Sequence, residues 1–125
     1  MDRLFWVCVG GAAGAGTRYL VSMWAAERFG PFPVGTLLVN LAGCFLIALI
    51  LHASLSFAWP PALRAGVTVG FLGGLTTYSS FNQETSSLLQ HGETSLAALN
   101  VAATVLGGFL AGWLGLVVSR QLVGP

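Results

Sequence analysis

The stretch Gly70-Phe71-Leu72-Gly73-Gly74-Leu75-Thr76-Thr77-Tyr78-Ser79-Ser80-Phe81 decides the fold of this chain. An apolar run that would otherwise make an ordinary membrane helix meets three glycines in five residues, followed by two threonines and two serines. Glycine costs about 1 kcal/mol relative to alanine inside a helix, and hydroxyl groups compete for backbone hydrogen bonds. We therefore expect the helix to break at Gly73–Thr77. Irregular backbone survives in lipid only where it is buried in protein or lines a watery cavity, so the pattern indicates an ion site.

The composition around this stretch is that of a membrane protein. Of the 125 residues, 55% are hydrophobic and 7% are charged, whereas a soluble domain carries about 25% charged residues. The chain contains no lysine and has a net charge of +1, which argues against a nucleic-acid partner. Cys8 and Cys44 both fall in apolar runs, where they are interpreted as small hydrophobic residues and not as a disulfide or a metal pair.

Four apolar segments each approach the roughly 20 residues that span hydrocarbon. They run from about 4 to 26, 34 to 58, 62 to 90 and 94 to 118, within a single transmembrane domain covering residues 1–125. As one helix the third would measure ~43 Å, which overshoots a hydrocarbon core of ~30 Å. The predicted fold is all-α, with four transmembrane helices and the third broken at Gly73–Thr77.

The arginines give only a weak preference for one orientation. With four spans, Arg3, Arg64 and Arg120 share one side of the membrane, and Arg28, with Arg18 near the same end, lies on the other. This is a weak bias under the positive-inside rule. Four helices also form a thin bundle. We therefore expect insertion in both orientations and assembly as an antiparallel homodimer.

Polar side chains inside the segments are costly in hydrocarbon and are functional candidates for that reason. At helical spacing, Thr36 shares a face with Asn40, Asn100 with Thr104, Ser80 with Glu84, and Tyr78 with Phe81 and Thr85. The set is a dilute track of neutral donors with a few aromatic rings. Such a track suits a small anion, because ring edges carry partial positive charge. Hydrogen bonding between helices remains an alternative role for these residues.

The charged candidates are fewer. Glu84 is the only carboxylate within a segment, and it lies nearer an interface than mid-membrane. Arg18 has two open roles, as an anchor that reaches the interface or as an attractant for anions. His52 and His91 are too far apart in sequence to suggest a metal cluster.

Three motifs occur in order along the chain: GAGTRY at 14–19, GTLLVNLAG at 35–43, and the stretch at 70–81 followed by Glu84. Together they resemble the Fluc (CrcB) family of fluoride ion channels. The resemblance implies a fluoride-selective channel of the cell (plasma or inner) membrane that exports fluoride passively down its gradient. It also implies a dual-topology antiparallel dimer with a structural sodium ion at its centre.

The resemblance also implies roles for single residues. It assigns the fluoride pathway to Asn40, Phe81, Tyr78, Ser79, Ser80, Thr36, Asn100 and Thr104. It places Arg18 and Glu84 near the mouths of the pathway, and it assigns sodium to the backbone carbonyls of Gly73 and Thr76, oxygens suited to a hard cation.

Two features depart from the family pattern. Tyr78 stands where the first of two phenylalanines is usual, so the ring edge is kept and a hydroxyl is added. Asn100 stands where tyrosine is expected, with Thr104 where serine is common. We therefore expect the polar contacts at the outer part of the pathway to differ from those of the family.

Two other functions compete with the channel. A small proton-coupled multidrug-type exporter would also be a four-helix dual-topology dimer, and it would need Glu84 as an essential carboxylate. A scaffold or assembly factor would carry no ion. An enzyme is not expected, since the sequence offers no nucleophile–base set.

Overall fold

A computed structural model describes residues 1–124, and these residues are helical between short connections, with no β-strand among them. The helices are α1 (Asp2–Phe29), α2 (Val34–Ser56), α3 (Pro61–Ala65), a π-helical segment (Gly66–Leu72), α4 (Gly73–Leu75), α5 (Tyr78–Gln90) and α6 (Thr94–Val123). By length and composition, α1, α2 and α6 can each cross a membrane. The expectation of an all-α membrane protein is confirmed.

Two long helices, α1 and α6, continue past the apolar limits read from the sequence, whereas α2 ends at Ser56, before its expected end at residue 58. α1 reaches Phe29 and ends where Gly30 adopts a φ of 64° and a proline follows. α6 reaches Val123, beyond the expected end at residue 118. Arg28 and Arg120 lie in the last turns of these helices, where a positive charge stabilises the free carbonyl end. Apolar length therefore underestimates the lengths of α1 and α6.

The third segment changes its backbone conformation four times. Residues 61–75 form a continuous helical run whose middle, Gly66–Leu72, is π-helical. The π-helix is rare in proteins, and where it occurs it is often at a functional site. Thr76 (φ −85°, ψ 153°) and Thr77 (φ −154°, ψ 121°) are extended. Of the five residues expected in the break, Gly73–Leu75 thus stay helical.

Glycines in the third segment serve close packing against α1. A Cβ added at Gly70 would meet the Val7 carbonyl oxygen at 2.6 Å, and one added at Gly74 would meet the Gly11 oxygen at 2.6 Å. On α1, a Cβ at Gly14 would meet the backbone nitrogen of Leu75 at 2.9 Å. Small residues let membrane helices approach in this way. These contacts advance together along both helices, so α1 and residues 66–75 run in the same direction.

α2 and α6 form the other extensive pair. Gly108 lies near Cys44, and a Cβ added at Gly115 would meet the Phe45 carbonyl carbon at 3.0 Å. Further along, the Ser119 hydroxyl donates to the Leu49 carbonyl at 3.1 Å. These contacts also advance together, so α2 and α6 are parallel.

The outer surface of the bundle is apolar. Leu20 is 66% exposed and Leu106 is 69% exposed, whereas the few buried apolar side chains include Val39, Leu72 and Leu75. Exposed apolar area of this extent marks a surface that meets either lipid or another protein chain.

Candidate functional site

The break in the third segment is held by the side chain of Asn40 on α2. Its Nδ2 donates to the Thr77 carbonyl oxygen at 3.1 Å, and its Oδ1 accepts from the Thr77 N–H at 2.8 Å. One carboxamide thus satisfies both backbone polar groups of an extended residue, as a neighbouring β-strand would. Because a carboxamide carries two N–H donors, Asn40 keeps one beyond this pair.

This pairing changes the partners of two carbonyl groups. In a continuous helix the Thr77 N–H would donate to Gly73 and the Ser80 N–H to Thr76, four residues earlier. Instead the Thr77 N–H donates to Oδ1 of Asn40, and the Ser80 N–H donates to the Thr77 hydroxyl oxygen at 3.2 Å. The carbonyls of Gly73 and Thr76 therefore lose their helical donors, and these are the two carbonyls to which the family resemblance assigns sodium.

Arg18 contacts the same break from α1. Its Nε donates to the Gly74 carbonyl oxygen at 3.0 Å, and the side chain is half-buried. A cation at the carbonyl end of a helix is stabilising. The structure thus places Arg18 against the end of α4, where it caps the helix that stops at Leu75.

An open groove of about 570 Å³ runs beside the break between α2, residues 68–81 and α6. It brings together six of the residues singled out in the sequence: Asn40, Gly73, Thr76, Tyr78, Phe81 and Thr104. Most of the remaining lining is apolar. A concave, mostly apolar site with a few convergent polar groups is the usual form of a binding site for a small ligand.

The two aromatic rings of the groove differ in their surroundings. Phe81 is 9% exposed, whereas Tyr78 is 79% exposed. Their centroids are 5.7 Å apart and the ring planes are inclined by 56°. Phe81 is thus fixed by the protein around it, and Tyr78 faces outward.

The serines after the break point toward Thr77. Ser79 and Ser80 each place Oγ 3.2 Å from the Thr77 hydroxyl oxygen, and the Ser80 N–H donates to the same oxygen. Thr77 therefore caps the N-terminus of α5. The lining of the groove includes neither serine.

Residues 5–116 match the sequence profile of the family described as CrcB-like protein, Camphor Resistance (CrcB). This chain belongs to the CrcB family. It is 52% identical to a Fluoride-specific ion channel FluC from Anaeromyxobacter dehalogenans, with 99% of this chain and 100% of the relative aligned. Proteins of the same name from Sorangium cellulosum and Geotalea uraniireducens are each 45% identical, over 98% of this chain and 98% and 100% of their own lengths. Membership agrees with the apolar helices, and the chain is a multi-pass membrane protein.

In this CrcB chain, Thr36 and Glu84 lie away from the groove. The Thr36 hydroxyl donates to Oε1 of Glu84 at 2.7 Å. Oε2 of Glu84 is the one buried side-chain polar atom within residues 1–124 that lacks a hydrogen-bond partner. The pair borders a smaller cavity of about 190 Å³, which Ser22 and the connection at residues 30–33 also line. The cavity is large enough to admit water.

Asn100 is also placed differently from Thr104, its neighbour one turn along α6. It is 1% exposed, and its Nδ2 donates to the Thr85 hydroxyl at 2.9 Å. Asn100 therefore connects α6 to α5 inside the bundle, while Thr104 lines the groove.

Two residues of this CrcB protein matter more than the sequence interpretation suggested. Thr77 and Thr85 are not among the assigned pathway residues, yet both hold polar partners from other helices. A threonine three residues before Ser80, at the start of a helix, is an N-cap pattern that could have drawn attention to Thr77. Their hydrogen-bond partners lie on α2 and α6, and the sequence around Thr77 and Thr85 gives no indication of them.

Proposed function

We propose that this chain is a fluoride-selective ion channel through which fluoride leaves the cell passively. The observation that carries the proposal is the full-length relationship, at 52% identity, to a protein named for that activity. The groove supports it, since it gathers neutral donors and ring edges with no carboxylate in its lining among residues 1–124.

Selectivity follows from the hydration of the ion. Fluoride is small and tightly hydrated, so a narrow pathway must replace its water with strong donors. The free N–H of Asn40, the hydroxyl of Thr104 and the positive edges of the two rings supply such contacts along the groove. Chloride is larger and gains less from these contacts.

The pathway requires a second copy of the chain. The groove is open along one side, so it solvates an ion only partly. At its edge Gly73 faces open space, because a Cβ added there would meet nothing within 4 Å. The weak arginine bias supports an antiparallel partner, inserted in the opposite orientation, with the third segment of each copy unwound at bilayer depth.

A sodium ion at the centre of this dimer fits the freed carbonyls. Gly73 and Thr76 of each copy would offer two oxygens, giving four hard ligands for a hard cation. Both carbonyls have lost their helical donors to Asn40 and to the Thr77 hydroxyl. The ion would supply a fixed positive charge between two anion pathways.

One observation favours a second candidate, a proton-coupled exporter. Oε2 of Glu84 is buried and unpaired, as a carboxylate that exchanges protons would be. The Fluc relationship and the absence of any carboxylate from the groove lining over residues 1–124 favour the channel.

The deciding experiment is ion efflux from liposomes that contain the purified protein. The channel predicts rapid fluoride efflux driven by its gradient alone, with chloride retained in parallel vesicles. Efflux that needs a proton gradient would favour the exporter. If the vesicles retain both ions, the protein would be a scaffold or assembly factor that carries no ion.

A further inference from the structure

Helix α5 owes little of its position to apolar burial. Of its 13 residues, only Phe81 and Leu88 are buried. Apolar contacts are non-directional and cannot by themselves fix the rotation of so short a helix about its axis. Hydrogen bonds to its neighbours must therefore help to set the rotation of α5, and with it the direction in which the Phe81 side chain leaves the helix.

Hydrogen bonds from two other helices, called ties below, hold this region. From α2, Asn40 holds Thr77 directly before the first residue of α5, and Thr36 holds Glu84. From α6, Asn100 holds Thr85. The helix is therefore secured on one side by α2 and on the other by α6.

The ring of Phe81 lies midway between two of these ties. Thr77 is the extended residue directly before α5, four residues ahead of Phe81, and Thr85 lies four residues after Phe81 on the same helical face. The first tie is made to α2 and the second to α6. A rotation of α5 that moved the ring would have to break one of them.

The tie at Thr85 is directional. Its hydroxyl donates to the Phe81 carbonyl oxygen at 2.7 Å and accepts from Asn100 Nδ2 at 2.9 Å. A hydroxyl has a single hydrogen, so donation to Phe81 leaves its oxygen free to accept from Asn100. Asn100 is 1% exposed, and losing this partner would leave a buried donor unsatisfied.

We infer that Thr85 is a positioning residue for ion passage: with Asn100 it fixes the Phe81 ring against the wall of the groove. The inference rests on the proposed fluoride channel and extends it to two residues that do not line the groove. It also distinguishes the two rings. Phe81 is the ring held in a set place, whereas Tyr78, 79% exposed, is free to adjust.

The test compares single-channel fluoride currents in planar bilayers for three variants. Thr85→Val keeps the shape and removes the hydroxyl, and Thr85→Ser restores it. Thr17→Val is the matched control, because the Thr17 hydroxyl also donates to the carbonyl four residues earlier but has no second partner. We expect Thr85→Val to lower the current about tenfold, and Thr85→Ser and Thr17→Val to stay within about twofold of the original chain.

The same substitution made in a chain that lacks the Phe81 ring distinguishes a positioning role of Thr85 from a role in packing alone. In Phe81→Leu channels, Thr85→Val should cause no further loss, because the ring it positions is gone. A purely structural role for Thr85 would reduce the number of channels and leave the current through each one unchanged. If Thr85→Val channels do not assemble, the same comparison is made with Asn100→Leu.

The outcomes separate this inference from the proposed function. If the original chain carries no fluoride current, the channel proposal fails. If it carries current and Thr85→Val matches Thr17→Val, or still lowers the current in Phe81→Leu, the positioning role is wrong.

Discussion

Asn40 and Thr77 pair like residues on two adjacent β-strands, although both belong to a helical bundle. The carboxamide accepts from the Thr77 N–H at 2.8 Å and donates to the Thr77 carbonyl at 3.1 Å. In hydrocarbon an unpaired backbone group costs several kcal/mol, so an extended residue needs such a partner. The same side chain also lines the groove. Asn40 therefore supports the fold and the pathway together.

Asn40→Asp should nearly abolish fluoride efflux, with a loss of about 100-fold or more. The carboxylate cannot donate to the Thr77 carbonyl, and it adds a negative charge to a pathway for anions. Efflux from liposomes measures the effect. Gln90→Glu makes the same amide-to-acid change at an exposed residue at the end of α5 and should leave efflux intact. Equal rates for the two variants would remove Asn40 from the pathway.

Gly73→Ala should weaken the dimer while the protomer stays folded. Within one chain the new methyl meets nothing within 4 Å, and alanine favours the helix by about 0.5–1 kcal/mol. At a dimer centre the methyl would collide with the partner. Light scattering in detergent reports the oligomeric state. Gly16 also faces open space, so Gly16→Ala is the control. A Gly73→Ala dimer as tight as the control would place the interface elsewhere.

Gly14→Ala should lower the free energy of unfolding by about 1–3 kcal/mol, because the added methyl would press on the backbone of the third segment. Its Cβ would meet the Phe71 carbonyl carbon and the Leu75 nitrogen, each at 2.9 Å. Thermal unfolding in detergent, followed by circular dichroism, measures the change. Gly16→Ala on the same helix should be neutral or stabilising. An unchanged midpoint for Gly14→Ala would contradict the close approach of these helices.

Glu84→Gln should leave fluoride efflux within about threefold of the original chain, because an amide oxygen can still accept from Thr36. The amide also replaces the unpaired carboxylate oxygen with a donor. Fluoride efflux from liposomes, recorded with and without a proton gradient, measures the effect of the substitution. Loss of all transport, together with a proton requirement in the original chain, would favour the exporter.

Much of the fold is predictable from sequence because lipid constrains it. Apolar runs gave α1, α2 and α6 to within five residues at each end. The break was expected at five residues but occupies Thr76 and Thr77 alone. Gly74 has a packing role instead, because α1 approaches closely enough to require glycine there, and that requirement lies in a neighbouring helix.

The candidate site was predicted in part, for a related reason. Residue type and spacing selected Asn40, Phe81 and Thr104, which do meet at the groove. The same reasoning grouped Asn100 with Thr104, one turn away, although Asn100 is buried against Thr85. Helical spacing predicts which residues lie on the same face of a helix, but it does not predict which neighbouring helix that face contacts.

The sequence by itself determined the membrane setting, the apolar segments and the chemical character of the track, because hydrophobicity and glycine content act locally along the chain. Only the tertiary structure decided which polar groups pair, since each such bond joins residues far apart in sequence. Asn40 reaches Thr77 across 37 residues and Arg18 reaches Gly74 across 56. Those bonds set the exact place of the break, because an extended residue is stable only where another helix supplies its partners.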